Sequence, residues 1–326
     1  MGLQEENKEY IFKDDRPFKS CHASTLIFLE DQILVAWFGG TEEGAGDVAI
    51  WSSRRKEGRW SRPQKVADKT GIPHWNPVLF QDESKKIYLF YKIGLDISEW
   101  KTMIKTSTDN GYTWTEAEPL VKGDKGGRGP VKNKPIVLKD GTWLAPASLE
   151  KEEVWSAFVD ISYDQGETWI KSEPVSLSNS NKEHSFRGKG VIQPTLWEST
   201  SGKVHMLMRS TAGYIYRSDS TDGGKTWGVA YSTGLPNNNS GIDLTRLRDG
   251  TLVLAYNPVS KNWGPRTPLI LSISKDNGST WEESYILEDE QGEYSYPALI
   301  SQKNKIYLTY TWNRKRIVFQ EIEFVS

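Results

Sequence analysis

The stretch STDNGYTW at residues 107–114 decides how the rest of the chain is read. Alone it is a polar turn closed by a tryptophan. The pattern Ser-x-Asp-x-Gly-x-Thr-Trp returns as SYDQGETW at 162–169, STDGGKTW at 220–227 and SKDNGSTW at 274–281. The closing residues Trp114, Trp169, Trp227 and Trp281 are 55, 58 and 54 positions apart, and a weaker echo, SSRRKEGRW, ends at Trp60, 54 positions upstream. A period of this size is the signature of a repeat architecture.

The segments between the motifs carry the same grammar. STLIFLEDQILVAWF, NPVLFQDESKKIYLFYK, KPIVLKDGTWLAPAS, QPTLWESTSGKVHMLMR, DLTRLRDGTLVLAYN and YPALISQKNKIYLTYTW each hold two β-prone runs joined by a polar turn. Such pairs predict β-hairpins. The stretch entering each motif predicts a third strand, and the residues after its Trp a fourth. No convincing helical period is present. The expectation is all-β: a six-bladed β-propeller with four-stranded antiparallel blades, in one domain spanning 1–326. The chain ends before a last motif, so the N-terminal YIFKDDRPF is expected to supply the outer strand of the last blade. In each motif the Asp caps backbone N–H groups, the Gly takes a positive φ and the Trp plugs the space between strands. These motifs are read as fold staples, not catalytic groups.

Composition narrows the function. A net charge of −2 lacks the basic excess that nucleic-acid or anionic membrane binding requires. The single cysteine, Cys21, excludes a disulfide framework, and no metal-ligand spacing, dinucleotide motif or phosphate loop is present, so no cofactor is expected. The polar N-terminus and the lack of a long apolar run predict a protein of a reducing, cytoplasmic compartment, a monomer or weak homo-oligomer.

In a propeller, the first strand of each blade lines the axis, so the six strand starts converge. Here they carry Cys21 and His22; His74, Trp75 and Asn76; Lys132, Asn133 and Lys134; Gln193; Asp243; and Tyr294 and Tyr296. Polar groups among aromatic walls suit a sugar. Arg128, Lys132 and Lys134 in the basic run KGGRGPVKNKP are expected to add positive charge at the mouth, and with Arg209 and Arg266 they favour an anionic sugar.

The repeated motifs on a six-blade pattern resemble the sialidase (neuraminidase) superfamily with its Asp-box, bacterial-neuraminidase repeats. The resemblance implies three arginines on a substrate carboxylate, an acid/base Asp, and a Tyr–Glu nucleophile pair. Arg209 and Arg266 match two of the arginines, and Tyr294, with Tyr296 next, matches the tyrosine. The first arginine's place is taken by His22, and the Glu position by Gln193, which does not ionise. The loop FGGTEEGAGD offers Glu42, Glu43 and Asp47 as the acid. The expected function is cleavage of a glycosidic bond in an acidic glycan. In that reading Glu43 or Asp47 protonates the leaving oxygen, with His22 assisting and Tyr294 or Tyr296 attacking or stabilising charge. The alternatives are a uronate lyase using His and Tyr, and a non-catalytic glycan-binding propeller.

Overall fold

The computed structural model describes residues 2–124, 126–177 and 186–325, leaving out the Ser284 side chain; His184 lies outside them. It is a six-bladed propeller of antiparallel sheets. Blade one holds Ser20–Phe28, Gln32–Gly40 and Ala49–Lys56, with Arg59–Trp60 and Gln64–Ala67 together along its outer edge. Blades two to five begin at His74–Gln81, Ile136–Val137, Val191–Thr200 and Asp243–Arg246. Blade six runs Tyr294–Gln302, Lys305–Trp312, Arg316–Val325, and its fourth strand is Gly2–Tyr10. Among the described residues the helical element is one 3₁₀ turn, Ile97–Glu99.

The N-terminus completes the last sheet, but not with the segment expected. The strand is the polar Gly2–Tyr10, in register with Arg316–Val325. The apolar Ile11, Phe12 and Phe18 instead cross inward and pack with Trp37, Tyr307 and Phe319 between blades six and one. An outer edge strand faces water on both sides and tolerates polar residues, while the crossover is buried and needs apolar ones.

Each of the six apolar clusters lies between two neighbouring blades, one at every seam of the ring. The repeated motifs act at these seams. Each joins the third and fourth strands of its blade. In the first, Asp109 accepts from the backbone N–H and hydroxyl of Thr113, while the Ser107 hydroxyl accepts from the Gly111 N–H. Asn110 and Gly111 both have positive φ, 61° and 76°. A Cβ on Gly111 would lie 2.9 Å from Leu34 of blade one. Arg54 of that blade donates to the Asn110 and Gly111 carbonyls. Arg217 and Trp197 of blade four likewise donate to Asn277 in the motif of blade five. The motifs thus pin one blade to the preceding one, rather than only plugging strands within a blade.

Four first strands share an irregularity. The register breaks between His22 and Thr25, Trp75 and Val78, Ile192 and Thr195, and Ser295 and Ala298. At these bulges Ala23, Asn76, Gln193 and Tyr296 adopt positive φ of 54°, 40°, 51° and 54°. Non-glycine residues held there are strained, and bulges of this kind re-aim side chains next to functional sites. All four breaks fall at the same level, where the first strands begin and the second strands end.

Candidate active site

The bulges turn side chains toward the axis, and a cluster forms at that end. Tyr296 is its centre. Its hydroxyl accepts from Arg209 Nη1 at 2.8 Å, and its ring lies 4.2 Å from the His22 ring, centroid to centroid. The Arg209 and Arg266 guanidinium carbons lie 5.8 and 5.7 Å from the ring centre. Arg209 also donates to Gln193 Oε1 at 3.0 Å and, through Nε, to Asn239 Oδ1 at 2.9 Å. Asn239 in turn donates to Asn262. Arg209 is therefore held through Nε and Nη1, and Gln193 acts as an acceptor that orients it. Trp263, 60% exposed and at φ 55°, presents its ring 5.9 Å from the Arg209 carbon. An exposed indole beside a guanidinium offers a flat apolar face to a sugar ring.

A third arginine, unread in the sequence, joins the cluster. Arg314 sits in the turn between the second and third strands of blade six at φ 56°, and its carbonyl accepts from the Cys21 N–H. Its Nε donates to Glu293 at 2.6 Å, and its Nη1 to Glu43 at 2.5 Å. Glu293 also accepts from Arg266 at 2.8 Å. Burial lowers the affinity of Arg314 for its proton, but Glu43 and Glu293 outweigh it and the pKa is raised. For Arg266 burial prevails over Tyr296 and Glu293, and the pKa is lowered.

His22 is buried and shares a 2.8 Å hydrogen bond through Nδ1 with the Thr311 hydroxyl. Burial, then the charges of Arg314, Arg266, Lys132 and Arg209, hold its pKa well below 6.5. The imidazole is therefore neutral at neutral pH.

Several expected mouth residues serve instead to join blades. Lys132 is buried and donates to Asn133 Oδ1, the Ile242 carbonyl and the Pro297 carbonyl, linking blades three, five and six. Asn133 donates to the Gln193 and Pro194 carbonyls, and Asn76 to the Val131 carbonyl. Lys134 pairs with Asp243 at 2.9 Å, and Asp243 also accepts from the Thr195 hydroxyl and the Leu299 N–H. Arg128 binds Asp160 and the Trp169 carbonyl. Arg128 and Lys134 are thus paired with Asp160 and Asp243, whereas the Lys132 amine meets neutral acceptors and burial lowers its pKa to about 7, so these residues add little positive charge at the mouth.

The remaining candidates separate by geometry. Tyr294 packs with Tyr310 between blades five and six; regular alternation would give it the same face as Tyr296, and the bulge between Ser295 and Ala298 separates the two. Asp47 accepts from the Thr41 N–H and hydroxyl within its own loop, and these bonds lower its pKa. His74 stacks on Tyr91 and bonds to the Ile72 carbonyl, with a pKa lowered by burial. Trp75 donates to the Gly94 carbonyl and packs on Phe38 and Trp100 beneath the loop at Gly44. Glu42 is exposed. Among the described residues no group of three or more His, Cys, Asp or Glu is arranged to hold a metal.

Comparison with known proteins agrees with this architecture. The model of the BNR repeat-like domain matches residues 31–308. A sialidase of Clostridium perfringens is 28% identical over 149 residues, covering 40% of this chain and 35% of that protein. The match thus spans about a third of that relative's length. A protein of unknown function from Dyadobacter fermentans superposes over 99% of this chain and 100% of its own, with a TM-score of 0.79 at 18% identity. Trypanosoma rangeli sialidase in complex with the inhibitor DANA gives 0.74 at 14% identity, over 95% of this chain and 56% of its own. At these identities the structural likenesses concern the fold.

Proposed function

This chain belongs to the BNR repeat-like family, and we propose that it binds the carboxylate of an acidic sugar at the axial cluster and cleaves the neighbouring glycosidic bond. The observation that carries this reading is the gathering of Arg209, Arg266 and Arg314 around the stacked Tyr296 and His22 rings, with Arg209 and Arg266 facing the Tyr296 ring and all three arginine charges acting on His22. Planar guanidinium groups suit a carboxylate because each fork engages both oxygens. Trp263 supplies a face for the ring.

One feature favours elimination over hydrolysis. The hydrogen-bond partner of the Tyr296 hydroxyl is Arg209, which is backed by Gln193, where a nucleophilic tyrosine needs a carboxylate base. In a β-elimination the arginines neutralise the uronate carboxylate and acidify the adjacent C–H. Neutral His22 takes that proton. The C–H electron pair becomes the new C=C bond, and the C–O pair leaves with the glycosidic oxygen, which is protonated.

The deciding experiment is digestion of a panel of uronate- and ulosonate-containing glycans with product masses measured. Hydrolysis adds the mass of water, whereas elimination adds none and creates an ultraviolet-absorbing unsaturated sugar. Binding of an acidic glycan without any product would identify a lectin-like propeller, and failure to bind any acidic glycan would refute the reading.

A further inference from the structure

The run Asn237-Asn238-Asn239-Ser240 joins the outer strand of blade four, Tyr231–Pro236, to the first strand of blade five, and all four residues are buried. A buried connection must satisfy its own backbone. Two of the asparagines do so: Asn237 Oδ1 accepts from the Asn239 N–H, and Asn238 Oδ1 from the Ser240 N–H. Asn239 instead turns its side chain away from the run. Its Oδ1 accepts from Arg209 Nε at 2.9 Å, and its Nδ2 donates to Asn262 Oδ1 at 2.9 Å. Because an arginine Nε can only donate, the orientation of this amide is fixed by its partner.

Asn262 belongs to the loop that carries Trp263 and Arg266, and Asn238 grips that loop a second time. Its Nδ2 donates to the Pro265 carbonyl at 2.6 Å, and its carbonyl accepts from the Trp263 N–H at 3.1 Å. Two consecutive asparagines therefore hold residues 262, 263 and 265 of blade five and Arg209 of blade four. Asn239 has a φ of 60°, a conformation asparagine adopts more readily than most side chains do. Gly241 follows, and a Cβ there would stand 3.2 Å from the Tyr296 ring and 2.9 Å from Lys132. The run thus passes directly against the central tyrosine.

Resting on the reading above, we propose that Asn239 is a positioning residue for the axial cluster. It fixes the Arg209 guanidinium in a set relation to Trp263, so that a sugar is held only when its carboxylate and its ring face reach both together. Tyr296 and Gln193 hold Arg209 through Nη1 alone, and about that single nitrogen the guanidinium could pivot. The bond from Nε stops the pivot, as a side chain around a binding constellation must. The bond to Asn262 ties the same amide to the loop that presents the indole. Asn239 acts through Arg209 and touches no sugar itself. Its consequence is selectivity between acidic sugars that differ in where the carboxylate sits on the ring.

Asn239→Gly tests this, since glycine keeps a positive φ without strain and removes only the amide. Calorimetry with glucuronate should show affinity lower by roughly ten- to a hundredfold, with the melting temperature confirming a folded protein. In an Arg209→Lys background the same substitution should cost nothing further, because lysine has no Nε–H for Asn239 to hold. An equal cost in both backgrounds, or unchanged affinity in the single variant, would overturn the proposal. A second readout needs no sugar. In protein labelled with ¹⁵N-arginine, the Nε–H resonance that Arg209→Lys removes should exchange slowly with water in the wild type and fast in Asn239→Gly. Equal exchange in the two proteins would also overturn it. If the wild type binds no acidic sugar, the sugar reading falls on its own and this resonance alone decides whether Asn239 positions Arg209.

Discussion

The His22 ring lies 4.2 Å from the Tyr296 ring, tilted by 47°, across the seam where blade one meets blade six. Two residues 274 positions apart in the chain (296 less 22) are brought into van der Waals contact by ring closure. The contact joins a buried imidazole to the phenol held by Arg209, at the seam next to the blade that the N-terminal strand completes.

That placement predicts the effect of removing residues 2–10. The deletion bares the edge of Arg316–Val325 and removes the pairing of Glu9 with Arg55 and of Lys8 with Glu288. An exposed edge invites intermolecular pairing. The truncated protein should melt at lower temperature and self-associate on size exclusion. A monomer of unchanged thermal stability would contradict the role of this strand.

The depressed pKa of His22 makes stability depend on pH in a defined window. Below its ordinary 6.5 the unfolded chain takes up a proton that the folded chain refuses. The stabilisation is complete above that value and is lost as pH falls through it. His74 acts in the same direction, whereas the structural Asp residues titrate lower. Melting temperatures should decline from about pH 7 to about pH 5, and less steeply in His22→Gln. Equal slopes in the two proteins would show that His22 titrates normally.

The same variant probes the chemistry. If His22 accepts a proton, His22→Gln should lose roughly 10²–10⁴-fold in kcat on a verified glycan. Near-wild-type turnover would return that role to Tyr296.

For the arginine cluster, binding of an acidic monosaccharide such as glucuronate is the direct readout. Arg314→Met removes a charge-assisted bond of about 1.5–3 kcal/mol, so calorimetry should register a loss of roughly ten- to a hundredfold. Arg209→Lys and Arg266→Lys keep the charge but not the fork and should also weaken binding. Undiminished affinity in all three would remove the carboxylate from the model of recognition.

The motifs give a purely structural prediction. Trp169 is buried beside Phe90 at the seam of blades two and three, and Trp169→Ala should cost roughly 3–5 kcal/mol through the cavity left behind. Gly224→Ala should also destabilise, since φ is 84° and the new Cβ would stand 2.9 Å from Leu144. Denaturant titration measures both. A stable Trp169→Ala protein with selectively lost activity would overturn the staple role.

The sequence by itself determined the repeat, the strand count and the blade boundaries, because turns and period-two strands are encoded within a few neighbouring residues. It also located the axial ends of the first strands, and hence His22, Gln193 and Tyr296, while Arg209 and Arg266 were reached through the resemblance to the sialidase superfamily. What only the tertiary structure decided was which of the axial polar residues face the mouth. Lys132, Lys134, Asp243 and Arg128 look like site residues in one dimension, yet Lys134 and Asp243 neutralise each other across blades, Arg128 is held by Asp160, and Lys132 is buried among carbonyls of blades five and six. Tyr294 and Tyr296 differ only by a bulge that no local signal announces. Arg314 was missed because it lies in the turn after a second strand, outside the first-strand starts where the sequence directed attention. Its role arises from partners far along the chain, Glu43 in a blade-one loop and Glu293 at the entry to blade six. Turn chemistry is local and therefore legible, whereas the fate of a buried charge is fixed by whatever closes around it.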